Sequence, residues 1–265
     1  MMLSAGDLTA AMQAAHLAAD AAARIQLDGL RQARQVSHKG RYDLVTEIDQ
    51  ASEAAILPIL QKALPKAEIL AEETANQSDR NAPLIWLVDP LDGTTNYAHG
   101  YPAFCSTIAL RAKGQTLLGL IHDPLRNERF EALIGQGAKL NKQAIHTSPT
   151  RQLAQSLLAT GFPADRCEQP ETNLERFAAL TMQCRGVRRG GSAALDLSYT
   201  ACGRLDGYWE LRIFPWDVCA GALIVQEAGG KVSQIDGSPF DGSGGNTLAS
   251  NGPLHSDLMD ALAGA

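Results

Sequence analysis

Residues Trp86 to Asn96 read WLVDPLDGTTN: an apolar run ending in two acids three positions apart, then a glycine and two threonines. The apolar residues predict a buried strand, and side chains at the exit of such a strand are well placed to face a cleft. Asp89 and Asp92 can converge there on one cation. Gly93 permits close backbone approach, and Thr94 and Thr95 put hydroxyls and backbone N–H groups at the start of a helical turn, where phosphate oxygens bind well. The same letters also fit a plain Asp-Pro and Asp-Gly turn capped by threonine. The rest of the chain has to decide between a turn and a site.

Upstream, Leu8, Met12, Ala15, Ala19, Ala22 and Ile25 recur at spacings of three and four, which predicts a packing helix from Asp7 to about Arg34. A second helix follows the segment SHKGRYD, with Thr46 as its cap and Asp49 three positions later as the capping-box acid. Pro58 is expected to kink that helix or end its regular part. Downstream, Leu84–Val88, Phe104–Arg111, Thr116–Asp123 and Arg129–Ile134 read as strands of a largely antiparallel sheet. Beyond residue 150 the rhythm changes. Ser156–Thr160 reads as a strand, Glu171–Gln183 as a polar helix, and a helix starts at Ser192 and closes at Gly203. A strand over Arg204–Leu211 precedes a helix opened by Pro215 and ended by Gly229 or Gly230. Strands Lys231–Ile235 and Asn246–Ser250 and a helix over His255–Leu262 complete the pattern. Two halves that share an interface are expected: residues 1–150, with the antiparallel sheet and most of the acids, and residues 151–265, an α/β half that completes the site. Trp86, Trp209 and Trp216 are read as core anchors.

Composition removes several classes of function. The 265 residues carry 23 basic and 29 acidic side chains, a net charge of −6, so no domain-wide positive field exists to hold nucleic acid or an anionic membrane directly. Five cysteines stand far apart, without C-x-x-C or Cys/His clustering, and read as reduced thiols rather than a zinc site. The opening alanine-rich stretch lacks a basic n-region and carries Asp7 and Asp20, which argues against a secretion signal. The longest apolar run, Val218–Val225, is far short of the ~20 residues that cross a bilayer. The expected setting is cytoplasmic.

The acids Asp49, Glu72, Glu73, Asp89, Asp92 and Asp217 form an oxygen-only donor inventory. A phosphate dianion is repelled by bare carboxylates, so an acid-rich cleft suits phosphate chemistry only with hard divalent cations between them, Mg²⁺ or Mn²⁺. Each acid alone has a plainer reading. Asp49 fits a helix cap, Glu72 and Glu73 a solvated turn, and Asp217 a first-turn acid favoured by the helix dipole.

Taken together, DLVTEID, AEE, WLVDPLDGTTN, GGSAALDL and PWDVCAGALIVQEAGG stand in the order and approximate spacing of the inositol monophosphatase family, and the chain resembles that family over nearly its whole length. The resemblance implies a layered α/β/α/β/α sandwich of the sugar-phosphatase type, α+β in its first half and α/β in its second, with the active site between the halves. It implies that Glu72, Asp89 and the carbonyl of Leu91 hold a first Mg²⁺, that Asp89, Asp92 and Asp217 hold a second, and that a weaker third ion sits near Glu72. Glu72 is chosen over Glu73 because the first acid of the pair is the family's usual ligand. Asp49 with Thr94 would orient and deprotonate the attacking water, and Thr94 and Gly93 would contact phosphate. Gly191, Ser192 and Ala193 would lie beside the substrate hydroxyls, with Glu210 hydrogen-bonding one of them; Ser192 stands where the family carries threonine. The remaining implications are hydrolysis of myo-inositol 1-phosphate without a covalent intermediate, a homodimer and inhibition by Li⁺.

Other readings stand beside this one. Relatives of similar appearance act on sugar phosphates, histidinol phosphate, fructose bisphosphate or nucleotide 3′-phosphates, and some bacterial relatives serve as partners in ribosomal RNA transcription complexes. An aspartyl-phosphate mechanism of the haloacid-dehalogenase type needs one residue between its acids, whereas Pro90 and Leu91 make the gap two. A serine hydrolase built on Ser192 lacks the second glycine of G-x-S-x-G and its preceding strand. Arg188 and Arg189, ahead of the Gly-Gly-Ser segment, are read as solvated or at an interface rather than in the chemistry.

Overall fold

The computed structural model describes residues 3–30, 36–38, 44–75, 82–163, 168–169 and 171–264. The first helix, α1 (Ala5–Gly29), starts at Ser4, whose hydroxyl accepts from the Asp7 N–H while the Asp7 carboxylate accepts from the Ser4 N–H. Its expected end at Arg34, the SHKGRYD segment beyond His38, and Cys167 lie outside the described residues. Short strands β1 (Val36–His38) and β2 (Leu44–Thr46) pair antiparallel ahead of α2 (Glu47–Ala63). Pro58 neither ends α2 nor splits it. Both Pro58 and Ala54, whose carbonyl loses its helical partner at Pro58, are exposed, so water can satisfy that oxygen.

A seven-stranded sheet follows in the order β3 (Glu68–Ala71), β4 (Leu84–Asp92), β5 (Cys105–Ala112), β6 (Gln115–Asp123), β7 (Glu128–Leu133), β8 (Ala138–Leu140) and β9 (Gln143–Ala144). Only β3 and β4 run parallel; the rest pair antiparallel. The short helix α3 (Thr94–His99) leaves the end of β4. The second sheet has the order β11 (Gly186–Arg188), β10 (Leu157–Thr160), β12 (Gly207–Ile213), β14 (Gly245–Ser250), β13 (Lys231–Gln234), and is mixed. The remaining helices are α4 (Leu174–Thr181), α5 (Ala193–Ala201), α6 (Pro215–Glu227) and α7 (His255–Ala263).

Three cores stack these elements into five layers. Alternation along β4 sends Trp86 and Val88 toward α1 and α2, and Ile85 and Leu87 toward α5 and α6. On the second sheet Tyr208 and Ala249 join the α5–α6 side, while Trp209, Leu211 and Leu248 face the core shared with α4 and α7. The order is α1–α2, seven-stranded sheet, α5–α6, five-stranded sheet, α4–α7, the α/β/α/β/α sandwich expected. Helix α6 is apolar all round because it lies between two sheets. Two glycines set that packing: a Cβ on Gly119 would stand 2.7 Å from the Ala220 carbonyl oxygen, and one on Gly221 would stand 2.6 Å from Leu197 Cβ. All three tryptophans are buried. No helix among the described residues is long and apolar enough to cross a membrane.

Candidate active site

In a regular strand, residues three apart point to opposite faces, so Asp89 and Asp92 would diverge. The pairing with β5 shows why they do not. Asp89 pairs with Thr107 and Asp92 with Cys105, so three steps on β4 meet two on β5, and this bulge brings both acids to one face. Within it the Asp89 carboxylate accepts from the Leu91 N–H at 2.8 Å, and the buried Gln26 amide of α1 donates to the Pro90 carbonyl at 2.7 Å. Gly93 then takes a φ of 95°, and a Cβ there would press against the Ala103 carbonyl at 2.8 Å.

Thr94 opens α3, and its hydroxyl lies 2.7 Å from Asp49 Oδ1 and 3.0 Å from the Leu91 carbonyl. Asp49, in the first turn of α2, is 1% exposed, so the pair is shielded on the Asp49 side. Glu72 follows β3, and its N–H continues the parallel ladder by donating to the Val88 carbonyl at 3.0 Å, which sets it beside Asp89. Glu72 lines the cleft; the N–H of Glu73 donates to Glu53, a buried acid of α2 to which no motif pointed.

The second half supplies the opposite wall. Ser192 caps α5, accepting from the Leu195 N–H, and donates its hydroxyl to Asp92 Oδ2 at 2.6 Å; the Ala194 N–H donates to the same oxygen at 2.7 Å. Asp217 in the first turn of α6 accepts from the Phe214 N–H at 3.1 Å. Glu210 of β12 accepts from the Tyr208 hydroxyl at 2.7 Å and lies against Gly161, where a Cβ would fall 2.1 Å from its carboxylate oxygens. A cleft of about 220 Å³ is lined by Glu72, Asp89, Leu91, Asp92, Gly93, Thr94, Gly191, Ser192, Ala193, Glu210 and Asp217, with Asp49 behind Thr94. The residues singled out by sequence therefore share one place. Arg189 departs from expectation: it lines the cleft rather than only the solvent. Asp196, the acid of the GGSAALDL segment, which was given no role, lines it too, as do Phe162, Pro163 and Phe214, to which no motif pointed. No histidine lines the cleft among its described residues, so Ser192 has no imidazole beside it and acts as a cap and a donor to Asp92.

Electrostatics mark the site as anionic. Burial, then repulsion from Glu72, Asp92 and Asp217, pushes the Asp89 carboxyl well above the usual carboxylate range. Burial followed by Glu72 and Asp92 does the same to Asp217. Asp92 is also raised by burial, opposed by its bonds from Ser192 and Ala194. As they stand, no three or more His, Cys, Asp and Glu side chains among the described residues form a group that could hold a metal ion. Asp89, Asp92 and Asp217 turn oxygens to N–H and O–H donors instead. The donor set nevertheless fits a hard divalent cation, being oxygen only, and such a charge would replace the repulsion among these acids by attraction.

A five-layered α/β/α/β/α sandwich with a carboxylate-lined cleft where its two sheets meet is the architecture of the sugar-phosphatase class. Residues 7–265 match the model of the inositol monophosphatase family. The inositol-1-monophosphatase of Synechocystis sp. is 49% identical over 231 residues, 87% of this chain and 80% of that one. The Nus factor SuhB of Escherichia coli K12 is 41% identical over 236 residues, 86% of this chain and 88% of its own. Among solved structures, inositol monophosphatase from Anabaena (Nostoc) superposes with a TM-score of 0.85 at 45% identity, covering 94% of this chain and 93% of that one. The chain belongs to the inositol monophosphatase family, and by that membership it is a phosphatase.

Proposed function

We propose that the protein hydrolyses the phosphate monoester of a small polyol, myo-inositol 1-phosphate foremost, with Glu72, Asp89, the Leu91 carbonyl, Asp92 and Asp217 holding two Mg²⁺ and a weaker third near Glu72. The observation that carries this reading is the convergence of these acids on one cleft beside the Thr94–Asp49 hydrogen bond. Mn²⁺ is the other cation whose preferences match an oxygen-only set. When bound, the cations supply a lowered pKa for water and neutralise charge developing on the phosphoryl and leaving oxygens.

The chain's own residues position and move protons. Because Thr94 donates its hydroxyl hydrogen to Asp49 Oδ1, its lone pairs are left to accept a proton from the attacking water; Asp49 then receives the hydroxyl's own proton. Ser192 and the Ala194 N–H fix Asp92. Gly93 and Thr94 border the phosphate end, and Gly191, Ser192, Ala193 and Glu210 border the alcohol end. Among the described residues lining the cleft the one serine, Ser192, donates to Asp92, itself a proposed metal ligand, and no histidine stands beside it, which supports direct attack by water without a covalent intermediate.

The proposal extends to a homodimer in the cytoplasm and to inhibition by Li⁺ competing for the second metal position, all supported by the family resemblance. The 41% identity to the Nus factor favours a second reading, a protein-partner role in a transcription complex. The test is phosphate release from a panel of monoesters with and without Mg²⁺, for the native protein and Asp92→Asn together. Turnover that needs Mg²⁺, collapses in the variant and ranks the inositol ester first supports the proposal. Absence of turnover on every ester makes the partner role the leading reading.

A further inference from the structure

Asp196, in the first turn of α5, is 5% exposed and lines the cleft, yet among the described residues its carboxylate accepts no hydrogen bond. Backbone geometry lets it in: a Cβ on Gly190 would come within 2.7 Å of Asp196 Oδ1, so the absence of a side chain at 190 leaves the carboxylate its place. Two charged residues line the same wall, Glu210 and Arg189, and Arg189 likewise makes no hydrogen bond or ion pair among the described residues. A carboxyl that lacks a donor within the protein, with oxygens that open onto the cleft rather than being sealed from it, is placed to accept that donor from a ligand. The metal-ligating role is proposed for other acids of the cleft, which leaves the alcohol half of the substrate as the source of that donor.

We propose that Asp196 is a specificity-determining residue that accepts a hydrogen bond from a hydroxyl of the substrate's alcohol half, working beside Glu210 and Arg189 to select polyhydroxylated monoesters over esters of hydroxyl-free alcohols. Glu210 hangs from β12 and Asp196 from α5, so the two acids reach the alcohol from different elements and can read different hydroxyls. This inference rests on the phosphatase reading. Burial, then repulsion from Glu210 and Asp92, holds the Asp196 carboxyl well above its ordinary range, and Arg189 opposes the shift. A protonated Asp196 would still accept at its carbonyl oxygen and could donate to a second hydroxyl.

The experiment measures kcat and KM of the native protein, Asp196→Asn and Asp196→Ala on inositol 1-phosphate and on p-nitrophenyl phosphate, which offers no hydroxyl, together with the melting temperature of each. Turnover of either ester by the native protein establishes the phosphatase reading independently. The expected result is a rise of about tenfold in KM for the inositol ester relative to the aryl ester, smaller for Asn than for Ala, with no loss of melting temperature. Equal changes on both esters, or no change on either, would overturn the assignment. So would a drop in melting temperature accompanied by parallel loss of both activities, since that outcome assigns Asp196 to folding.

Discussion

The hydroxyl of Thr94 stands 2.7 Å from Asp49 Oδ1, although the two residues lie 45 positions apart and open different helices. Each is fixed by its own scaffold, Asp49 by the first turn of α2 against the sheet and Thr94 by the bulged end of β4. If this pair handles the proton of the attacking water, Thr94→Val and Asp49→Asn each lower kcat by about 10²–10⁴ with a smaller change in KM, while Thr94→Ser retains most of the rate. Steady-state kinetics at saturating Mg²⁺ checks this, and a valine variant with native kcat would remove Thr94 from the chemistry.

Ser192 offers a sharper distinction. As a donor to Asp92 it would orient a proposed metal ligand, so Ser192→Ala is expected to raise the Mg²⁺ concentration needed for half-maximal activity by roughly 10–100-fold, with activity recovered at high Mg²⁺. A nucleophile would show no such recovery. Titrating activity against Mg²⁺ in the variant separates the two.

Gly161 is a place where one methyl group reaches the pocket proposed for the substrate. Its Cβ would fall 2.1 Å from the Glu210 carboxylate, which must swing away. Gly161→Ala should weaken polyol binding about tenfold while the metal requirement stays native. By contrast, Gly119→Ala drives a methyl into the backbone of α6 and should destabilise the fold by about 1–3 kcal/mol, read from urea or thermal unfolding.

Stability also carries a pH signature. His255 is buried, with Nε2 2.9 Å from Ser233 Oγ and Nδ1 2.8 Å from Ser250 Oγ, and burial, reinforced by Lys231, pushes its pKa down to about 4. The unfolded chain takes up that proton near pH 6.5, the folded chain only near 4. The neutral ring therefore contributes fully above pH 6.5, and on the order of 3 kcal/mol is lost as pH falls through that window. Unfolding midpoints of the native protein and His255→Gln at pH 7 and pH 4.5 test this: the variant should lose less on acidification.

What sequence made legible follows from what is contiguous. WLVDPLDGTTN runs along one strand into the helix that follows it and PWDVCAGALIVQEAGG along one helix to its end, so their acids and their elements could be read together. The Asp89–Asp92 convergence could be guessed from letters, but the bulge that causes it is a matter of register against β5. Strand β3 was missed because four residues of Glu-Ile-Leu-Ala carry too little pattern, although that strand delivers Glu72. The Asp49–Thr94 pairing came through resemblance alone, since nothing local links two helix starts. Asp196 and Arg189 stayed hidden for a related reason: their place in the cleft is decided where α5 meets β12.

Helix α6 lends its N-terminal Asp217 to the cleft and its remaining faces to α5 and to two sheets at once. A cleft acid mounted on so shared a beam cannot be adjusted privately. Any drift in the angle of α6 is felt by both sheets, and any repacking of either sheet moves Asp217 against Asp89 and Asp92. Evolution of a new substrate in this architecture is thereby steered to cleft residues mounted off the beam, such as Phe162 and Arg189, and laboratory selection for altered specificity should collect its mutations there.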